Sequence, residues 1–101
     1  MNIISQPRFN PGVLLATPGA VEAFEKNGQT PLEFLQRHLS GNDWGDLDLE
    51  DKQSNDQSLV NGSRLLSAYR LKDGTKVWCI TEAADEHGHR EATTFCLPSE
   101  Y

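Results

Sequence analysis

Two sets of side chains in this sequence have the types and spacing to do chemistry. The first is acidic. From Asp43 to Asp56 six carboxylates (Asp43, Asp46, Asp48, Glu50, Asp51 and Asp56) meet a single base, Lys52. The triplet Asp46-x-Asp48-x-Glu50 imitates the start of a calcium loop. The imitation ends there, because no glycine follows where an EF-hand turns sharply and no Glu stands at the twelfth position. Acids at a helix start, favoured by the helix dipole, account for the same residues. The second set is His38, His87, His89, Cys79 and Cys96. Zinc sites announce themselves by CxxC or HxxxH spacing, and neither occurs. No motif joins a cysteine to a histidine as nucleophile and base, and Cys79 falls in an apolar strand-like run where a buried thiol is inert. GxSxG, P-loop and GxGxxG patterns are absent. The chain therefore reads as non-catalytic, with no metal and no cofactor.

What remains is recognition. Trp44 stands in the middle of Gly41-Asn42-Asp43-Trp44-Gly45-Asp46. A tryptophan there is either drawn into the core, pinning the loop, or left outside as an interface anchor. On the second reading Asp43, Trp44, Asp46, Asp48 and Asp51 form an interaction site for another protein. One version sets carboxylates where the phosphates of a nucleic acid would sit on the target. A rival reading is a nucleic-acid-binding module, with Arg70, Lys72 and Lys76 on phosphates and Tyr69 or Trp78 stacking on bases. A net charge of −6 opposes it. A small enzyme or ligand-binding domain is the third reading, and it needs a deep polar pocket.

The elements that must position these residues are legible in part. The chain of 101 residues suits one domain. Residues 1–11, with Pro7 and Pro11, read as an N-terminal arm, and residues 12–101 as a single α+β domain. Gly12 to Thr17 is a short apolar run, a candidate added strand. Thr17-Pro18 opens a helix carrying Val21 and Phe24, closed by Asn27-Gly28. Thr30-Pro31-Leu32-Glu33 predicts a capping box, with Leu32, Leu35 and Leu39 as the apolar stripe of a second helix. Asp46 or Asp48 caps a third, which Asn61-Gly62 ends.

Asp73-Gly74 then predicts a hairpin with a two-residue type I′ loop. That register sets Tyr69 opposite Trp78. It gives a helix-facing side of Leu65, Tyr69, Leu71, Trp78 and Ile80, and an opposite side of Leu66, Ala68, Val77 and Cys79. Ala92 to Leu97 is a third strand, after a polar loop at 84–91. The expected architecture is a three-stranded antiparallel meander, with or without the N-terminal strand, packed on one face by three helices. The expected charge map has an acidic end at 43–56 and a mildly basic end at the hairpin.

Three stretches carry a family resemblance: ATPGAVEAFEKNGQTPLEFLQRHLSGNDWGDLDLED at 16–51, GSRLLSAYRLKDGTKVWCITEA at 62–83 and LPSEY at 97–101. With GQTPLEFL, DWGDL, RLLSAY and DGTKVW, the chain resembles the small bacterial proteins called plasmid-related proteins. It departs from them in a longer 83–91 loop. The resemblance implies a cytosolic protein of plasmids and integrated elements, and brings no catalytic residue. The sequence shows no basic and apolar leader and no run near the roughly 20 apolar residues that span a bilayer. The expected location is cytoplasmic, with both cysteines reduced.

Overall fold

Thr17 and Pro18 begin a helix as their chemistry requires. The Thr17 hydroxyl accepts from the Ala20 amide at 3.2 Å, and Pro18 takes a position whose N–H would have no partner. The helix, α1, runs Pro18–Asn27 and stops at left-handed Gly28. A computed structural model describes residues 7–101, so the first six residues of the expected arm lie outside the described residues. The described remainder is tied down: the Arg8 amide donates to the Leu39 carbonyl, and Phe9 packs edge-on to His38.

The second helix, α2, spans Pro31–Leu39 with Pro31 in its first turn, but the capping box does not form, because the Thr30 hydroxyl makes no cap bond. The helix is also rolled away from the leucine stripe. Phe34, Leu35 and His38 face inward, and Leu32 is 59% exposed. Phe34 explains the roll: its ring joins Phe24 and Tyr69 at centroid distances of 5.8 and 5.4 Å, and a buried aromatic outweighs a leucine in apolar area. The third helix, α3, spans Leu49–Asn61. Asp48 caps it by accepting from the Asp51 amide at 2.8 Å, and left-handed Gly62 ends it.

Among the described residues four strands form one mixed sheet: β1 (Val13–Ala16), β2 (Leu65–Arg70), β3 (Lys76–Thr81) and β4 (Ala92–Cys96), in the order β1-β4-β3-β2. β2, β3 and β4 make the antiparallel meander, and β1 joins β4 in parallel. With three helices this is an α+β fold. The core gathers Ala20, Ala23, Phe24, Phe34 and Leu35 from α1 and α2 against Tyr69, Leu71, Val77, Cys79 and Phe95 of the sheet.

The expected helix on that face, α3, lies instead along the outer edge of β2. There the Asn55 amide donates to the Leu66 carbonyl at 2.6 Å, and its oxygen accepts from the Leu66 amide at 3.0 Å. The 43–46 loop completes the same edge. The Ala68 amide donates to the Trp44 carbonyl and the Asp46 amide donates to the Ala68 carbonyl, at 3.1 and 2.6 Å. One side chain and one loop thus stand in for a missing neighbour strand.

The hairpin is where expected, with a different loop. The Gly74 amide donates to the Leu71 carbonyl and the Leu71 amide to the Thr75 carbonyl, and within the loop Gly74 alone has positive φ, at +91°. This is a three-residue loop with a bulge glycine in place of the type I′ turn. Asp73 keeps an ordinary backbone and uses its carboxylate to accept from the Thr75 amide at 2.9 Å. Asn27 and Gln29, from the corner between α1 and α2, accept from the Asp73 and Lys72 amides.

The extra residue shifts the register by one. Tyr69 faces Val77, and Ala68 faces Trp78. A one-residue slip exchanges faces, so Val77, Cys79 and Thr81 turn to the helices, and Trp78 and Ile80 to the other side. Replacing Gly74 by Ala forces a β-carbon into the left-handed region and is expected to cost about 1 kcal/mol. Gly45→Ala is expected to cost clearly more, because Gly45 has φ +80° and a β-carbon there runs into the Ala68 carbonyl. Equal urea midpoints for the two variants would contradict this account of both edges of β2.

Candidate functional site

Three hydroxyls, Ser67, Thr81 and Thr93, point into the core beneath α2, and the observed register is what brings Thr81 there. All three are fully buried, as is His38. They form one chain of contacts: Ser67 Oγ to His38 Nδ1 at 2.6 Å, His38 Nε2 to Thr81 Oγ1 at 2.9 Å, Thr81 Oγ1 to Thr93 Oγ1 at 2.7 Å, and Thr93 Oγ1 to the Pro11 carbonyl at 2.8 Å. A carbonyl only accepts, so Thr93 donates to it. Thr93 then accepts from Thr81, and Thr81 accepts from Nε2–H. Nδ1 is left as acceptor for Ser67.

One tautomer of His38 satisfies every member. Burial, and then the charge of Arg90, push the imidazole pKa down to about 3. A serine beside a histidine resembles a nucleophile and its base, but a substrate has no route to either. The arrangement pins the end of the arm to the sheet. The sequence reading missed it, because Thr81, the link between the imidazole and Thr93, points inward only in the observed register.

The predicted acidic site is largely consumed by the fold. Trp44 is 3% exposed, with its indole N–H donating to Asp56 and its ring edge-on to His38. It pins the loop and offers no surface to a partner, which corrects its place among the interaction residues. Asp43 makes two bonds to Arg37, at 2.8 and 3.2 Å, and the guanidinium holds its carboxyl below the usual range. Asp46 pairs with Arg70 at 2.8 Å and lies 4.0 Å from Lys76. Asp46 thus brings the acidic loop against the basic hairpin, so the expected acidic and basic ends meet there, while Asp48, Glu50, Asp51 and Asp56 stay together at α3. Asp48 is the cap of α3. Glu50, Asp51 and Asp56 are exposed on that helix, Asp51 at its start on the Asn55 side and Asp56 with its carboxylate on Trp44.

The other candidates disperse. Cys79 faces the helices while Cys96, paired with Trp78, lies on the opposite side of the sheet. Both are free, and burial raises the pKa of each thiol. His87 and His89 are exposed on a turn that Asp85 organises by accepting from both of their amides. Among the described residues, no three His, Cys, Asp or Glu side chains converge as metal ligands. The residue the sequence reading overlooked is Arg90, 5% exposed. It donates to the carbonyls of Ser58, Ser63 and Glu82 and so fastens the end of α3 to the sheet. Of the basic hairpin, Tyr69 is buried with its hydroxyl donating to the Asp43 carbonyl, and Trp78 is half-buried against Tyr101.

No helix among the described residues is long and apolar enough to cross a membrane. No family model matches the chain, and neither a curated protein nor a solved structure does.

One surface feature stands apart. α3 buries Asn55 and Ser58, while Leu49 is 70% and Val60 88% exposed. At 100° per residue Leu49, Gln53, Asp56 and Val60 share one stripe. The helix is inverted, with small polar residues inside and apolar ends outside, flanked by Glu50 and Gln57.

The His38 chain generates a pH prediction. Unfolded, the imidazole takes up a proton below about 6.5, whereas folded it resists to about 3. The unfolded state binds the extra proton in that window, so stability is full above 6.5 and falls with pH, by at most about 1.4 kcal/mol per unit from this residue. Urea midpoints of wild type and His38→Gln should converge as pH drops from 7 to 4. A gap that stays constant would refute the assignment. Thr81→Val, which strands Nε2–H, should cost about 1–3 kcal/mol.

Proposed function

We propose that this chain is a non-catalytic accessory protein of a bacterial mobile element, cytoplasmic, and that it acts by binding another protein through the outer face of α3. The observation that supports this is the inverted helix. Its inner positions serve the backbone of β2 and its outer stripe presents Leu49 and Val60 to solvent at 70% and 88%. Apolar anchors at i and i+11, with polar residues between them at i+4 and i+7, fit a partner that receives a helix in a groove. The surrounding carboxylates, Asp48, Glu50, Asp51 and Asp56, give the surface a sign. They match a partner with a basic rim, including one whose groove ordinarily holds nucleic-acid phosphates. The mobile-element part of the reading rests on the resemblance at 16–51, 62–83 and 97–101. The nucleic-acid-binding alternative gains nothing from the geometry, because Tyr69 is buried and Arg70 is turned onto Asp46.

Two variants separate the components. Leu49→Lys with Val60→Lys removes the anchors at positions that carry no packing. Glu50→Gln with Asp51→Asn removes charge and leaves the cap residue intact. Proteins captured from nuclease-treated host lysate by wild type should be lost with the first pair, by about tenfold or more, equivalent to about 1.4 kcal/mol. With the second pair capture should become less sensitive to salt. If both variants retain the same captured proteins at every salt concentration, α3 is not the working surface.

A further inference from the structure

The two edges of the sheet are treated in opposite ways. The β2 edge is closed by Asn55 and by the Trp44–Asp46 loop, whereas among the described residues nothing pairs with the outer edge of β1. β1 reads Val-Leu-Leu-Ala, apolar on both faces, the pattern of a strand inside a sheet. Yet Val13, Leu14 and Leu15 are 60%, 52% and 50% exposed. A groove of about 270 Å³ beside it is lined by Leu14, Ala16, Leu32, Leu35 and Phe95, with Leu32 itself 59% exposed. Exposed strand edges of this kind are ordinarily blunted by charge, and β1 carries none.

We infer that the occupant of this edge is a second copy of the same chain, with β1 pairing antiparallel to β1 across a two-fold axis. The backbone fixes the register. The Val13 amide donates to the Glu91 carbonyl and the Thr17 amide to the Phe95 carbonyl, so the N–H and C=O groups of Leu14 and Ala16 point outward. In the two-fold pairing Leu14 of one copy faces Ala16 of the other, which exchanges both bonds, and the reciprocal pair does the same. The axis then passes between the two Leu15 residues, a non-hydrogen-bonded pair with close side chains.

Leu14 and Ala16 lie on the helix side, in register with Thr93 and Phe95, and Leu15 lies on the other side with Thr94. Each Leu14 therefore falls opposite the small Ala16 of its partner and over that partner's groove. The large residue and the small one complement each other in both directions, as an isologous contact requires. Pro11 and Pro18 bound β1, so a strand of the same short length is its natural match. β1 itself carries no charge, so two chains of net charge −6 meet there without like charges on the paired strands. A four-residue strand edge is a small contact beside the roughly 800 Å² per partner of a standard interface, so the dimer is expected to be reversible.

The tests use the full chain. Sedimentation velocity across the micromolar range should show wild type passing from monomer to dimer. Leu15→Lys, which sets two ammonium groups together on the axis, should remain monomeric with an unchanged circular dichroism spectrum, since Leu15 is half exposed. A Leu15→Cys chain should oxidise to a covalent dimer, because a non-hydrogen-bonded antiparallel pair has Cα atoms about 4.5 Å apart, within disulfide reach. Leu49→Cys, more accessible on α3, should not. Wild type that stays monomeric at its solubility limit, Leu15→Lys that still dimerises, or equal crosslinking at positions 15 and 49 would each overturn the proposal. None of these outcomes depends on the α3 surface, which lies at the other edge of the sheet.

Discussion

The conformation of one residue, Gly74, decides which side of the hairpin meets the helices. Its left-handed backbone makes the loop three residues long, and every position of β3 follows. With a two-residue loop Trp78 and Ile80 would enter the core and Thr81 would leave it. In the observed register Ser67, Thr81 and Thr93 point inward, and a core that admits three hydroxyls must satisfy them. His38 does so because the donors and acceptors run in one direction, from Ser67 through the imidazole to the Pro11 carbonyl. The same chain joins α2, three strands and the entry to β1, which makes the polar core the tie between elements distant in sequence. A protonated imidazole, a donor at both nitrogens, has no place in it.

The edge of β2 explains the character of α3. A helix that docks on a strand edge must present groups that hydrogen-bond backbone, and Asn55 does this with both ends of its amide. Ser58 and Asn55 therefore occupy inward positions where an ordinary surface helix carries leucines. The helix is kept in place by the Asp48 cap, by the bond from Trp44 to Asp56 and by Arg90 on the Ser58 carbonyl, with little apolar burial of its own. Its exposed leucine and valine follow from this arrangement: the inner face was not theirs to fill.

Local chemistry was legible in the sequence. Thr17-Pro18, Gly28, Asp48 and Gly62 mark helix ends through bonds made within a few residues, and the structure shows each of them. The hairpin, the third antiparallel strand and the α+β class were legible for the same reason, since turn residues and alternating runs are short-range signals. Contributions from far along the chain were not. The three-residue loop around Asp73-Gly74 is held by Asn27 and Gln29, which accept from the turn amides 46 and 43 residues away. The roll of α2 depends on Phe24 and Tyr69. The acids at 43–46 looked free because Arg37, Arg70 and Lys76, which face them, lie elsewhere in the sequence. Trp44 could be narrowed to two fates by composition, and only the position of Asp56 and His38 chooses between them.

The two surfaces left after this accounting differ in kind. The outer face of α3 is charged and lies at one edge of the sheet, while β1 is neutral and lies at the other. Pairing through β1 would give a continuous sheet in the order β2-β3-β4-β1-β1-β4-β3-β2, with an α3 at each far end. Seven strand spacings separate the two β2 strands, about 34 Å at roughly 4.8 Å each. A partner with one binding groove would engage one end. A partner with two grooves spaced wider than that, since each α3 lies outside its β2, would engage both, and its second contact would form at the high effective concentration that linkage provides. The neutral edge would then act on the charged one without touching it, by setting how many acidic helices a single particle carries and how far apart they stand.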